Sequence, residues 1–117
     1  MPHITIYHSI EYITSNLNKE LLSLHKSIAE NTGIDIAHIK SRSIPYTYGV
    51  IAENTEAQYL HVEILLKNDK TQEIKEKIAE LTINFLKESF DMQNIDEITL
   101  EIREFEDANY FKYQNKD

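Results

Sequence analysis

Apolar and polar residues alternate cleanly from Tyr59 to Leu66, with Leu60, Val62, Ile64 and Leu66 facing one way and Tyr59, His61, Glu63 and Leu65 the other. A period of two is that of a strand. The same alternation opens the chain over residues 3–8, where Ile4, Ile6 and His8 oppose His3, Thr5 and Tyr7. It returns near the end, where Ile98, Leu100 and Ile102 alternate with Glu97, Thr99, Glu101 and Arg103, a strand with one wet face. A fourth strand is expected around Ile36 to Ile44, broken by Pro45 and Gly49, with Tyr46 and Tyr48 in a turn or short hairpin.

Two stretches follow the helical period instead. Leu17, Leu21, Leu24 and Ile28 line one side of a helix running from about Asn16 to Asn31, and Gly33 suits the left-handed residue that closes it. Ile74, Ile78, Leu81 and Phe85 form a second stripe from Thr71 to about Phe90, with Thr71 as a plausible N-cap. The chain therefore reads strand-helix-strand twice, an α+β protein with residues 1–117 in a single domain. Two architectures share that string. In one, tandem β-α-β units form one mixed sheet with two helices on one face; the other is the ferredoxin-like sandwich. Periodicity does not separate them.

Composition narrows the function more than the fold. A chain of 117 residues holds one ordinary core. No apolar run approaches the ~20 residues needed to span a bilayer. The start lacks the basic and apolar regions of a signal peptide, so a cytoplasmic protein without membrane partners is expected. There is no cysteine, hence no disulfide or thiolate chemistry. A net charge of −8 argues against nucleic acid as a partner, since that grip needs Lys and Arg on phosphates. It also gives weight to the local cation clusters at Lys40-Ser41-Arg42 and at Lys67 and Lys70, because an acidic protein that binds an anion must concentrate its positive charge.

The first residues carry the candidate chemistry. Removal of Met1 would leave Pro2 as the amino terminus, a secondary amine on a rigid ring. An α-amino group titrates near ~7.7–8.0, and burial or neighbouring cations lower that value, so Pro2 can hold a neutral amine base at physiological pH. The five histidines fall into no metal-binding spacing, so no metal is expected, and His61 reads as a structural strand residue. Glu73, Glu76 and Glu80 alternate with lysines on a solvated helix face. The two glycines, Gly33 and Gly49, form no phosphate loop, and no cofactor is expected.

Met1-Pro2-His3, Gly33-Ile34, Ile39-Lys40-Ser41-Arg42, His61-Val62-Glu63-Ile64, the loop with Lys70 and Glu73, and Asn109-Tyr110-Phe111-Lys112 lie in an order that resembles 5-carboxymethyl-2-hydroxymuconate isomerase, of the tautomerase superfamily. The resemblance implies a homotrimer of tandem strand-helix-strand subunits. It also implies an amino-terminal proline that moves a proton between oxygen and carbon of an unsaturated 2-hydroxy diacid, in aromatic compound catabolism. On that basis Pro2 is the general base and acid. Lys40 and Lys70 act on the charge of the dienolate, and Arg42 is the best bidentate partner for a substrate carboxylate. This sequence carries lysine at Lys40 and Lys70, where the family is expected to have arginine, which keeps the charge and loses the planar fork. Two other readings stay open: a catalytically silent protein of the same fold, and a ferredoxin-like ligand-binding or regulatory module in which Met1-Pro2 is incidental.

Overall fold

A computed structural model describes residues 1–115. Four strands, β1 (Pro2–His8), β2 (Lys40–Pro45), β3 (Tyr59–Lys67) and β4 (Glu97–Phe105), and two helices, α1 (Leu17–Thr32) and α2 (Gln72–Ser89), alternate as two β-α-β units. The sheet order is β2-β1-β3-β4. β1 pairs with β2 in parallel and β3 with β4 in parallel, while the two units meet antiparallel through β1 and β3. Parallel pairing within each unit gives the mixed sheet and excludes the antiparallel ferredoxin-like arrangement.

The core lies between one face of this sheet and the helices. Ile4, Ile6, Leu60, Val62, Ile64 and Leu66 from the strands meet Leu21, Leu24, Ile28, Ile78 and Leu86 from the helices. Pro2 belongs to the same face and is fully buried. The alternate positions, His3, Thr5, Tyr7, His61, Glu63 and Leu65, stand on the other face, which no helix covers. Pairing of His3 with Lys40 and of Thr5 with Arg42 places both cations on that uncovered face.

Local chemistry explains the element ends. Asn16 caps α1 by accepting from the Lys19 amide, and Gly33 closes it at φ 78°. Thr71 caps α2 by accepting from the Ile74 amide. One expectation is corrected. The strand expected from Ile36 begins at Lys40, because the Asp35 side chain accepts from the Ala37 amide and turns Ile36–His38 into a short 3₁₀ helix. Pro45 ends β2, within one residue of the expected end; β2 is an edge strand, where a missing N–H costs no ladder bond. The fully buried meridian of α2 runs through Ile78, Thr82, Leu86 and Ser89, with Ile74, Leu81 and Phe85 packed at its sides. Thr82 tolerates burial because its hydroxyl donates to the Ile78 carbonyl at 2.8 Å.

Candidate active site

Three cations from distant parts of the chain act on the charge of the amino terminus. Burial first, then the charges of Lys70, Lys40 and Lys112, hold its ammonium below the ordinary range, and only Asp35 opposes them. Lys40 opens β2, Lys70 lies in the turn between β3 and α2, and Lys112 belongs to the chain after β4. With Met1 attached, the amine they act on is that of Met1, and the Pro2 nitrogen is a tertiary amide with no basicity. Removal of Met1 transfers the free amine one residue inward, onto a proline ring packed in the core.

Lys70 is not a bare charge. Its ammonium donates to Asp69 Oδ1 at 3.0 Å, a contact that holds the Asp69 carboxyl below the usual carboxylate range. Arg42 goes elsewhere. It reaches across β1, donating from one terminal nitrogen to Thr5 Oγ1 at 2.9 Å and from the other to His3 Nδ1 at 3.0 Å. A guanidinium only donates, so His3 Nδ1 must accept, and the neutral imidazole carries its proton on Nε2. That N–H donates to the Tyr110 hydroxyl at 2.7 Å. Burial, followed by the charges of Arg42, Lys40 and the amino terminus, lowers the His3 pKa and keeps this tautomer neutral.

The Tyr110 ring stacks on Phe105, with centroids 4.7 Å apart, so the chain after β4 folds back over the uncovered face. A cleft of about 540 Å³ opens there, walled by His3, Thr5, Arg42, Leu65, Tyr110 and Phe111 and reaching Glu63 and Arg103. Of the expected site residues, the structure brings Lys40 and Lys70 to the amino terminus beside Pro2 and turns Arg42 toward this cleft. Lys112, His3 and Tyr110 entered the sequence reading only within the motifs that carry the resemblance and were not named as site residues. For Tyr110 and Lys112 the signal was an aromatic and basic tail whose return to β1 is a tertiary event.

Farther along the same face, ligand atoms of His61, Glu63 and Glu101 lie within 4.8 Å of one another. Sequence spacing of histidines does not reveal this group, because Glu101 arrives from the neighbouring strand in register with Glu63. Arg103 already supplies its cation, 3.4 Å from Glu63 and 3.0 Å from Glu101. Tyr7 donates a further bond to Glu63 at 3.0 Å. Among the described residues, no helix is long and apolar enough to cross a membrane.

No family model and no curated protein sequence matches the chain. Solved structures do match it in fold. A 5-carboxymethyl-2-hydroxymuconate isomerase from Deinococcus radiodurans R1 is similar with a TM-score of 0.78 and 18% identity, over 97% of this chain and 90% of that one. The symmetric trimer of wild-type Q0 fused 4-OT gives a TM-score of 0.76 at 13% identity, over 92% of this chain and 89% of that one. A macrophage migration inhibitory factor-like protein from Entamoeba histolytica gives 0.73 at 18% identity, over 96% and 95%. At these identities the likeness is one of fold.

Proposed function

We propose that the chain is a cofactor-independent tautomerase or isomerase that moves a proton within an unsaturated 2-hydroxy or 2-oxo dicarboxylate, using the Pro2 amine freed by removal of Met1. The observation that carries this reading is the amino terminus itself, there the Met1 ammonium: partly buried, and disfavoured by that burial and by the charges of Lys70, Lys40 and Lys112. An amine whose ammonium form is disfavoured accepts a proton from the dienol oxygen and returns it to carbon as the conjugate acid. Such transfer is typically worth ~10²–10⁴ in rate. The lysines do two things at once. Their positive charge lowers the amine pKa, and it stabilises the oxyanion of the dienolate and one substrate carboxylate. Arg42 faces the other cleft and takes no part in this proton transfer. The fold is shared with a 5-carboxymethyl-2-hydroxymuconate isomerase and with a fused 4-OT trimer, which supports both the reaction class and a homotrimeric assembly.

The silent reading has one observation in its favour, the Asp69 carboxylate at 3.0 Å from Lys70, which offsets part of the charge the reaction would use. Kinetics decides between the two. Purified protein whose intact mass shows Met1 removed should ketonise 2-hydroxymuconate, and Pro2→Ala should lose at least about tenfold in kcat/KM with an unchanged circular dichroism spectrum. Equal activity in Pro2→Ala, or in protein that retains Met1, would remove Pro2 from the mechanism.

A further inference from the structure

The uncovered face of the sheet holds a second arrangement of charge that the proton transfer at Pro2 does not use. Its centre is Arg42. Both hydrogen-bond partners of this guanidinium, Thr5 Oγ1 and His3 Nδ1, are neutral acceptors. Among the described residues, no carboxylate comes within ion-pair distance of it. The other arginine of the cleft differs, since Arg103 is committed to Glu63 and Glu101. Arg42 thus brings an uncompensated positive charge into a concave site on a protein whose net charge is −8. Two of its five N–H donors are used, and the remainder match the fork that a carboxylate accepts.

The rest of the cleft suits a flat apolar body attached to that carboxylate. Leu65 offers an aliphatic surface on β3, while Tyr110 and Phe111 offer aromatic ones from the chain after β4. Tyr110 is fixed at both ends, by its stack on Phe105 and by its bond to His3. The volume, about 540 Å³, falls within the ~300–1,000 Å³ usual for small-molecule sites. Glu63 also lines the cleft, but the Tyr7 hydroxyl and Arg103 hold its two oxygens, so its charge is compensated before a ligand arrives.

We propose that this cleft is a carboxylate-binding site separate from the amino-terminal amine, taking a planar aromatic or unsaturated monoacid with its carboxylate forked on Arg42 and its body between Leu65 and the Tyr110 ring. A single carboxylate is the expected ligand because Arg42 is the cleft's one uncompensated cation among the described residues. Ring-sized apolar matter is expected because the walls are aromatic on one side and aliphatic on the other. The site does not depend on the reaction assigned to Pro2 and would exist in a catalytically silent protein.

trans-Cinnamate is the probe, with neutral cinnamamide as its charge control. Calorimetric titration of the full chain should show saturable binding of one cinnamate per subunit. Arg42→Ala should weaken it roughly 10- to 100-fold, the usual consequence of losing a charged hydrogen-bond pair. Arg42→Lys, which keeps the charge and loses the fork, should fall between the two. Lys70→Ala and Pro2→Ala should bind as the parent does, which separates this site from the amine, and cinnamamide should bind no better than the Arg42→Ala protein binds cinnamate. Amide and aromatic NMR signals of Thr5, His3 and Tyr110 should move on titration. Absence of saturable binding, equal affinity in Arg42→Ala, or loss of affinity in Lys70→Ala instead would overturn the proposal.

Discussion

His3 and His25 show how one side chain can report on the whole packing of the sheet. Burial, then Arg42, Lys40 and the amino terminus, lower the pKa of His3, and burial lowers that of His25, whose Nε2 lies 2.7 Å from Ser41 Oγ. The unfolded chain, with histidines near about 6.5, therefore binds protons that the folded chain refuses. The sign follows directly. The contribution of these two histidines to stability is complete above about pH 6.5 and declines as pH falls from there toward their lowered folded values. The amino terminus acts in the same direction over a window that reaches up to about pH 8. Urea midpoints should fall between about pH 7 and pH 5, and a His3→Gln/His25→Gln double variant should show a shallower fall. A parent midpoint that is flat across that range, or a slope unchanged in the variant, would contradict the assignment. Lys40 and Lys70 were named as candidates because the family resemblance points to them and each lies in a local basic cluster of an acidic chain. His3 was not, since its importance comes from the guanidinium and the phenol that reach it from other strands and from the tail.

At the scale of elements, periodicity and capping residues located all six major elements, and the misses have local causes. Asp35 captured a turn where alternation alone predicted more strand. The stripe on α2 was drawn through Leu81 and Phe85, whereas the fully buried line passes through Thr82 and Leu86. A polar Thr82 reads as surface until its hydroxyl is seen to bond the Ile78 carbonyl. Gly33 is the clearest case of a residue chosen for its backbone. It sits at φ 78°, and a Cβ there would meet nothing within 4 Å, so any cost of Gly33→Ala is conformational and not steric. That substitution should destabilise the protein by about 1–2 kcal/mol. Ile28→Ala, which empties a fully buried position one turn earlier, should cost more, about 2–5 kcal/mol. Denaturant unfolding of the two variants tests the order; an equal or greater loss for Gly33→Ala would mean that the αL cap carries more than backbone strain.

Strand order belongs to the whole molecule, and it lay beyond the reach of periodicity. Two β-α-β strings are compatible with several sheets, and only the observed parallel pairing within each unit, joined antiparallel at β1 and β3, fixes this one. That order leaves β2 and β4 as open edges, and an open edge is a site for pairing with another chain. Exposed apolar side chains cluster on the connections beyond β2 and on the tail: Tyr48 is 91% exposed, and Phe111 and Tyr113 are each 88% exposed. One subunit provides nothing to cover them. A closed ring pairs each edge with a neighbour's and buries the aromatics without leaving a free end, whereas a two-fold dimer formed through one edge leaves the other open. A closed ring is therefore the expected state in solution, and three subunits is the number proposed above from the shared fold. It also makes Lys112 sensitive to assembly, because the tail that brings its charge to the amino terminus carries the exposed aromatics as well. Sedimentation equilibrium at micromolar concentration should give three times the subunit mass. A Phe111→Ser/Tyr113→Ser variant should dissociate at concentrations where the parent remains assembled, and its amino terminus should titrate closer to an ordinary amine. A monomer mass for the parent, or an unchanged assembly in the variant, would separate the exposed aromatic surface from oligomerisation.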